Sequence, residues 1–137
     1  MQSPDVLARI NQQRSPAVVS LGGHAVAYDE TTGRLELAFD VAPQFANRAN
    51  AVQGGIIAAM LDAVMGVAVA AGHADMANVP TLDISVSYIR PTPLGKLQCI
   101  GEVIRAGRRI AFAEGSLLTP DGVVTARGRS TLMLPNV

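Results

Sequence analysis

From Ile56 to Ala71 the chain runs through aliphatic, Met, Ala and Gly side chains with one interruption, the carboxylate of Asp62. Read as a helix, this stretch is apolar around nearly its whole circumference, so other elements must wrap it rather than lie along one side. The run falls short of the roughly 18 to 20 residues that cross a bilayer, and it carries an acid near its middle, so it reads as a buried core helix. A lone carboxylate there costs on the order of several kcal/mol unless partners or a ligand cavity receive it. Gln53-Gly54-Gly55 opens the segment and Gly72-His73 closes it, giving a central helix over residues 53–72. Backbone amides at its N-terminus favour a developing negative charge.

The remaining chain reads mainly as strands that could do the wrapping. Ser3-Pro4 is a cap and first-turn pair, and Val6, Leu7 and Ile10 recur at helical spacing, which gives an N-terminal helical segment over 1–16. Two β-rich runs, Val18 to Tyr28 and Arg34 to Val41, flank a turn ending at Gly33 and read as a hairpin. Residues 43–52 read as a loop carrying Asn47, Arg48 and Asn50. After Pro80, Leu82, Ile84, Val86 and Tyr88 alternate with polar residues, and three further β-rich runs follow to Leu134. The expectation is an α+β fold, one domain over 1–137, in which a hairpin and a four-strand antiparallel meander over 79–134 curve around one long apolar helix. Gly101, Gly115 and Gly128 are the expected places for bending or close backbone approach.

Composition narrows the function. Lys+Arg and Asp+Glu number 11 each, so no global charge draws the chain to nucleic acid or an anionic membrane. With no Trp, two Tyr and three Phe, there are few faces on which bases could stack. One Cys and two His far apart offer no zinc spacing and no internal disulfide, and Met1 to Ser15 lacks the apolar run of a secretory signal. The expected setting is cytoplasmic, with no metal, no nucleic acid and no membrane partner.

Several pieces, in order, resemble the hotdog-fold acyl-CoA thioesterases of the phenylacetic-acid-type (PaaI-like) subfamily. They are Asn47 with Gln53-Gly54-Gly55 six positions on, Asp62 nine after Gln53, the strand Thr81 to Tyr88, and Arg90-Pro91-Thr92-Pro93-Leu94-Gly95-Lys96, with Gly107 to Glu114 and Gly122 to Gly128 behind them. The resemblance covers roughly residues 41–134. It implies a curved antiparallel sheet around the helix and hydrolysis of an aromatic or medium- to long-chain acyl-CoA, with coenzyme A as part of the substrate and no separate cofactor. By resemblance Asp62 is base or nucleophile, the Gly54 amide an oxyanion donor, Asn47 a positioning group, Thr81 the holder of the attacking water, and Gly55 part of the substrate-binding loop. It also implies a homodimer, or a dimer of dimers, in which the acid of one subunit faces the carbonyl-binding loop of the other. The family pattern has His where this chain has Gln53, which hydrogen-bonds but cannot titrate.

Each residue also has a structural reading. Asp62 could cap a loop or pair with an arginine, Asn47 and Asn50 could make loop hydrogen bonds, and Thr81 suits a strand start by propensity. His24 and His73 read as strand and helix-end residues. The C-terminal half is locally basic, and Arg90, Arg108 and Arg109 are the candidates for coenzyme A phosphates. A non-catalytic acyl-CoA-binding protein remains the alternative, whereas a dehydratase, which pairs a His with an acid, is disfavoured by Gln53. Pocket depth is expected to depend on Val52, Ile56, Met60 and the partner chain, with Met60 and Met65 as core filler.

Overall fold

The computed structural model describes residues 4–73 and 78–135. Ser3, read as a cap, lies outside them. Helix α1 spans Pro4–Gln12 and α2 spans Pro16–Ser20, followed by β1 (His24–Asp29), β2 (Arg34–Val41), a 3-10 turn at Pro43–Phe45, α3 (Gly54–Ala71), β3 (Thr81–Tyr88), β4 (Gly95–Ala106), β5 (Ile110–Leu118) and β6 (Val124–Met133). The six strands form one antiparallel sheet in the order β1-β2-β4-β5-β6-β3.

Two expectations need correction. The β-run placed from Val18 begins only at His24, because Ser15 accepts a hydrogen bond from Val18 N and Pro16 enters the first turn, so Pro16–Ser20 nucleates α2 instead. The four-strand meander is also interrupted. β4, β5 and β6 do run as neighbours, but β3 pairs with β6 at the far edge and β4 joins the hairpin strand β2. Placing β3 there lets the sheet close around both flanks of α3, which a continuous meander would leave on one side.

Helix α3 is long and apolar enough in composition to cross a membrane, with a mean hydropathy of 2.0. Here it packs against β4, β5 and β6 and reaches β2 and β3. Met60, Leu61, Val64 and Met65 are wholly buried. Gly101, Gly115 and Gly128 pair in a row across β4, β5 and β6 directly beneath it. A methyl group on Gly101 would lie 2.7 Å from Val64 O, and on Gly115 or Gly128 about as close as packing tolerates to Met65, at 3.3 Å. The glycine row is therefore what lets helix and sheet approach so closely.

The two edges of the sheet differ. β1 is covered by α1, whose Asn11 donates to Ala25 O at 2.9 Å and accepts from Ala25 N at 2.7 Å, replacing the contacts of a missing strand. β3 has β6 on one side and, among the described residues, no strand on the other. An uncovered edge offers a row of backbone donors and acceptors to another chain.

Candidate active site

Asp62 sits on the third turn of α3, half-buried, and accepts a 2.6 Å hydrogen bond from the Thr81 hydroxyl at the start of β3. The contact has a backbone cause. The β3–β6 register shifts between Thr81 and Asp83, leaving Leu82 as the extra residue of a bulge. Simple alternation turns Leu82 inward with Ile84 and Val86, but the bulge reverses the phase, so Leu82 is 49% exposed and the Thr81 hydroxyl reaches the helix. Among the described residues no arginine pairs with Asp62, so its partner is a neutral hydroxyl.

The carboxylate opens onto a cavity of about 280 Å³ between α3 and the N-terminal segment. Ala63, Gly66, Val67 and Ala70 form its α3 wall, at the spacing of one helix face, with Ile10, Leu37 and Val79 opposite. Gln13, Arg14, His24 and Asn78 contribute polar groups. Val52, Ile56 and Met60 do not line this cavity, and Val52 and Met60 are buried in the core, 2% and 0% exposed. His24 is a strand residue as expected, and it also borders this cavity.

The N-terminus of α3 is a separate constellation. Gln53 is the N-cap: its Oε1 accepts from Gly55 N at 2.8 Å and Ile56 N at 3.2 Å, doing the capping that Ser or Asp more often does. Gly54 N has no acceptor among the described residues, so the first amide of the helix remains available. The loop behind it is fixed by Gln53 N donating to Phe45 O and Val52 N donating to Thr92 O, while the buried Thr92 hydroxyl donates to that of Thr125. Tyr88, at the end of β3, donates from its phenol to Gly54 O at 2.7 Å. Neither Tyr88 nor Thr92 stood out in sequence as a positioning residue, since strand-end Tyr and turn Thr carry no distinguishing spacing.

Asn47 acts locally: its Oδ1 accepts from Ala49 N and Ala51 N, and Asn50 completes the turn at φ 61°. That is the loop role weighed for it, one that leaves its amide nitrogen uncommitted. Of the arginines, Arg108 and Arg109 are exposed on the β4–β5 turn, at the end of the sheet where Ala111, Leu132 and Thr81 are aligned. Arg90 follows β3 at the opposite end, beside the Tyr88–Gly54 contact. Among the described residues no three His, Cys, Asp or Glu side chains converge as a metal site requires.

One chain cannot bring its own acid to its own amide. Gly54 and Asp62 are eight residues apart on one helix, which is about 12 Å along its axis. β3 spans the same two constellations, with Thr81 at the Asp62 end and Tyr88 at the Gly54 end.

The thioesterase superfamily model matches residues 49–126, more than half of the chain and the stretch that holds both constellations. A Halobacterium salinarum protein named as an esterase is 42% identical over 71 residues, or 50% of this chain and 46% of that protein; the chain spans about half the length of the curated relative it matches. Among solved structures, a phenylacetic acid degradation-related protein from Ralstonia eutropha aligns with a TM-score of 0.84 and 32% identity, covering 94% of this chain and 99% of that one. A thioesterase from Haemophilus influenzae aligns with a TM-score of 0.85 and 25% identity, covering 95% and 90%. With this sheet order, this helix and these matches, the chain belongs to the thioesterase superfamily and has its PaaI-like hotdog fold.

Proposed function

We propose that the protein is an acyl-CoA thioesterase whose active sites are each shared between two copies of the chain. The observation that carries this reading is the separation of the Thr81-held Asp62 carboxylate from the uncommitted Gly54 amide, at opposite ends of an uncovered edge strand. Two β3 strands pairing antiparallel about a two-fold axis would bring the Thr81 end of one copy against the Tyr88 end of the other. The acid of each subunit then faces the helix N-terminus of its partner, and the dimer has two equivalent sites. The exposed apolar residues of this region, Leu82, Tyr88 and Ile89, would be covered in the same step.

In this arrangement the thioester carbonyl oxygen accepts from the Gly54 amide, with the Gln53 Nε2 amide, whose Oε1 partner caps the helix, as a second donor. Water attacks the carbonyl carbon as Asp62 takes its proton, and the oxyanion forms where the helix N-terminus favours negative charge. Collapse of the tetrahedral state breaks the C–S bond, and Asp62 returns the proton to the departing thiolate. The products are the carboxylic acid and free coenzyme A. Thr81, donating to the carboxylate, fixes its orientation and leaves the other oxygen toward the water. Arg90 of one copy and Arg108 and Arg109 of the other, drawn to the same side by the two-fold, are the proposed contacts for coenzyme A phosphates.

The test is release of free thiol from a panel of aromatic and aliphatic acyl-CoAs. We expect turnover by the native protein and a loss of at least about two powers of ten in Asp62→Asn with substrate still bound. Tight binding without thiol release from any of the panel would instead identify a non-catalytic acyl-CoA-binding protein.

A further inference from the structure

The cavity at Asp62 contains a second charge that the reaction does not use. Arg14, an exposed residue in the turn between α1 and α2, donates from Nε to Asn11 O at 3.2 Å and from Nη1 to Gly23 O at 2.9 Å, and it lines the same cavity as Asp62. Two backbone carbonyls hold the guanidinium in place, and among the described residues no carboxylate pairs with it. Asp62 and Arg14 thus share one cavity without forming an ion pair, the first where α3 meets β3 and the second at the α1–α2 turn. Between them the wall is apolar, formed by Ile10, Leu37, Gly66 and Val67. Guanidinium carries five donors in a planar fork, and after the two backbone contacts three remain for a ligand. A planar carboxylate is the group that fork matches best.

We infer that the cavity takes an acyl chain with its thioester end at Asp62 and a terminal carboxylate at Arg14, so that the preferred substrates are mono-CoA thioesters of dicarboxylic acids. This rests on the thioesterase reading above and extends it to the far end of the acyl group. The cavity is open to solvent where Arg14 lies exposed, so an acyl chain follows the apolar wall and its carboxylate meets the guanidinium at the rim. His24, beside Arg14 on the cavity rim, supplies a further donor to the same carboxylate.

The experiment compares kcat/KM for two probes of equal chain length, octanoyl-CoA and the mono-CoA thioester of octanedioic acid, in the native protein, Arg14→Gln and Arg14→Lys. The native protein is expected to prefer the dicarboxylic thioester by about tenfold or more, the scale of one charge-assisted hydrogen-bonded pair. Arg14→Gln is expected to reduce the rate on the dicarboxylic thioester about tenfold more than on octanoyl-CoA, and Arg14→Lys to restore part of that difference. Equal rates on the two probes, or a loss in Arg14→Gln that is the same for both, would overturn the assignment while leaving the thioesterase reading intact. Hydrolysis of neither probe by the native protein, nor of any other acyl-CoA, would remove both.

Discussion

At the scale of single residues, the site turns on what each polar atom already holds. Thr81 spends its hydroxyl proton on Asp62, so Thr81→Val should leave the carboxylate misoriented and lower kcat by about tenfold, the scale of one hydrogen bond to a charged group, with little change in KM. A smaller loss confined to KM would mean that the hydroxyl contacts substrate rather than the acid. Cys99 is the opposite case, a group kept out of chemistry. It is wholly buried under α3 with its thiol directed at Met60 O, and burial raises its pKa well above the usual thiol range. The thiol should therefore stay unreactive to disulfide-exchange reagents in the folded protein and react once denaturant opens the core. The same shift has a sign for stability. A thiol that stays protonated when folded but ionises when unfolded contributes stability that is present below about pH 8.5 and lost as pH rises through the folded value. Unfolding in denaturant at pH 7 and pH 10 checks this, with the lower midpoint expected at pH 10.

At the scale of elements, what could be read in advance was what is local. Helix α3 declared itself through an apolar run bounded by Gln53 and Gly72, and the structure ends it with Gly72 as C-cap and His73 Nδ1 3.0 Å from Val69 O. The strands after Pro80 were readable from period-two alternation and their Gly and Pro punctuation. The pairing of β3 with β6 was not readable, because strand order is decided by how the sheet must curve around the helix and leaves no local trace in residues 81–88. The Leu82 bulge was equally hidden, and with it the reason Thr81 meets Asp62. Asp62 and Gly54 stood out because an acid in an apolar run and a Gly pair before a helix are visible in one dimension. The cavity did not, since it is formed where α1 meets the far face of α3. The glycine row beneath α3 carries a prediction at this scale. Gly101→Ala sets a methyl group 2.7 Å from Val64 O, and overpacking of this kind should cost about 1 to 3 kcal/mol, read as a lower denaturation midpoint. A midpoint equal to that of the native protein would show that α3 can lift from the sheet without penalty.

At the scale of the whole molecule, the claim is that one chain holds two half-sites and that chemistry needs two chains. Asp62 with its cavity is one half, and the Gly54 amide with its Gln53 cap and Tyr88 anchor is the other, separated by the geometry of a single helix. Two variants can remove one half each. Asp62→Asn deletes the acid, and Gly54→Pro deletes the amide proton while keeping the helix, since Gly54 is the first helical residue, Gln53 already has extended φ −63° and ψ 140°, and an added Cβ meets Tyr88 at an ordinary 3.5 Å. The direct test is thiol release from an acyl-CoA by dimers co-assembled from equal amounts of the two variants. Each alone should be inactive, whereas the mixture should recover about a quarter of native activity, because half of the dimers formed by random pairing carry one intact site of two. Co-assembled dimers with no more activity than either variant alone would contradict a site shared across two copies.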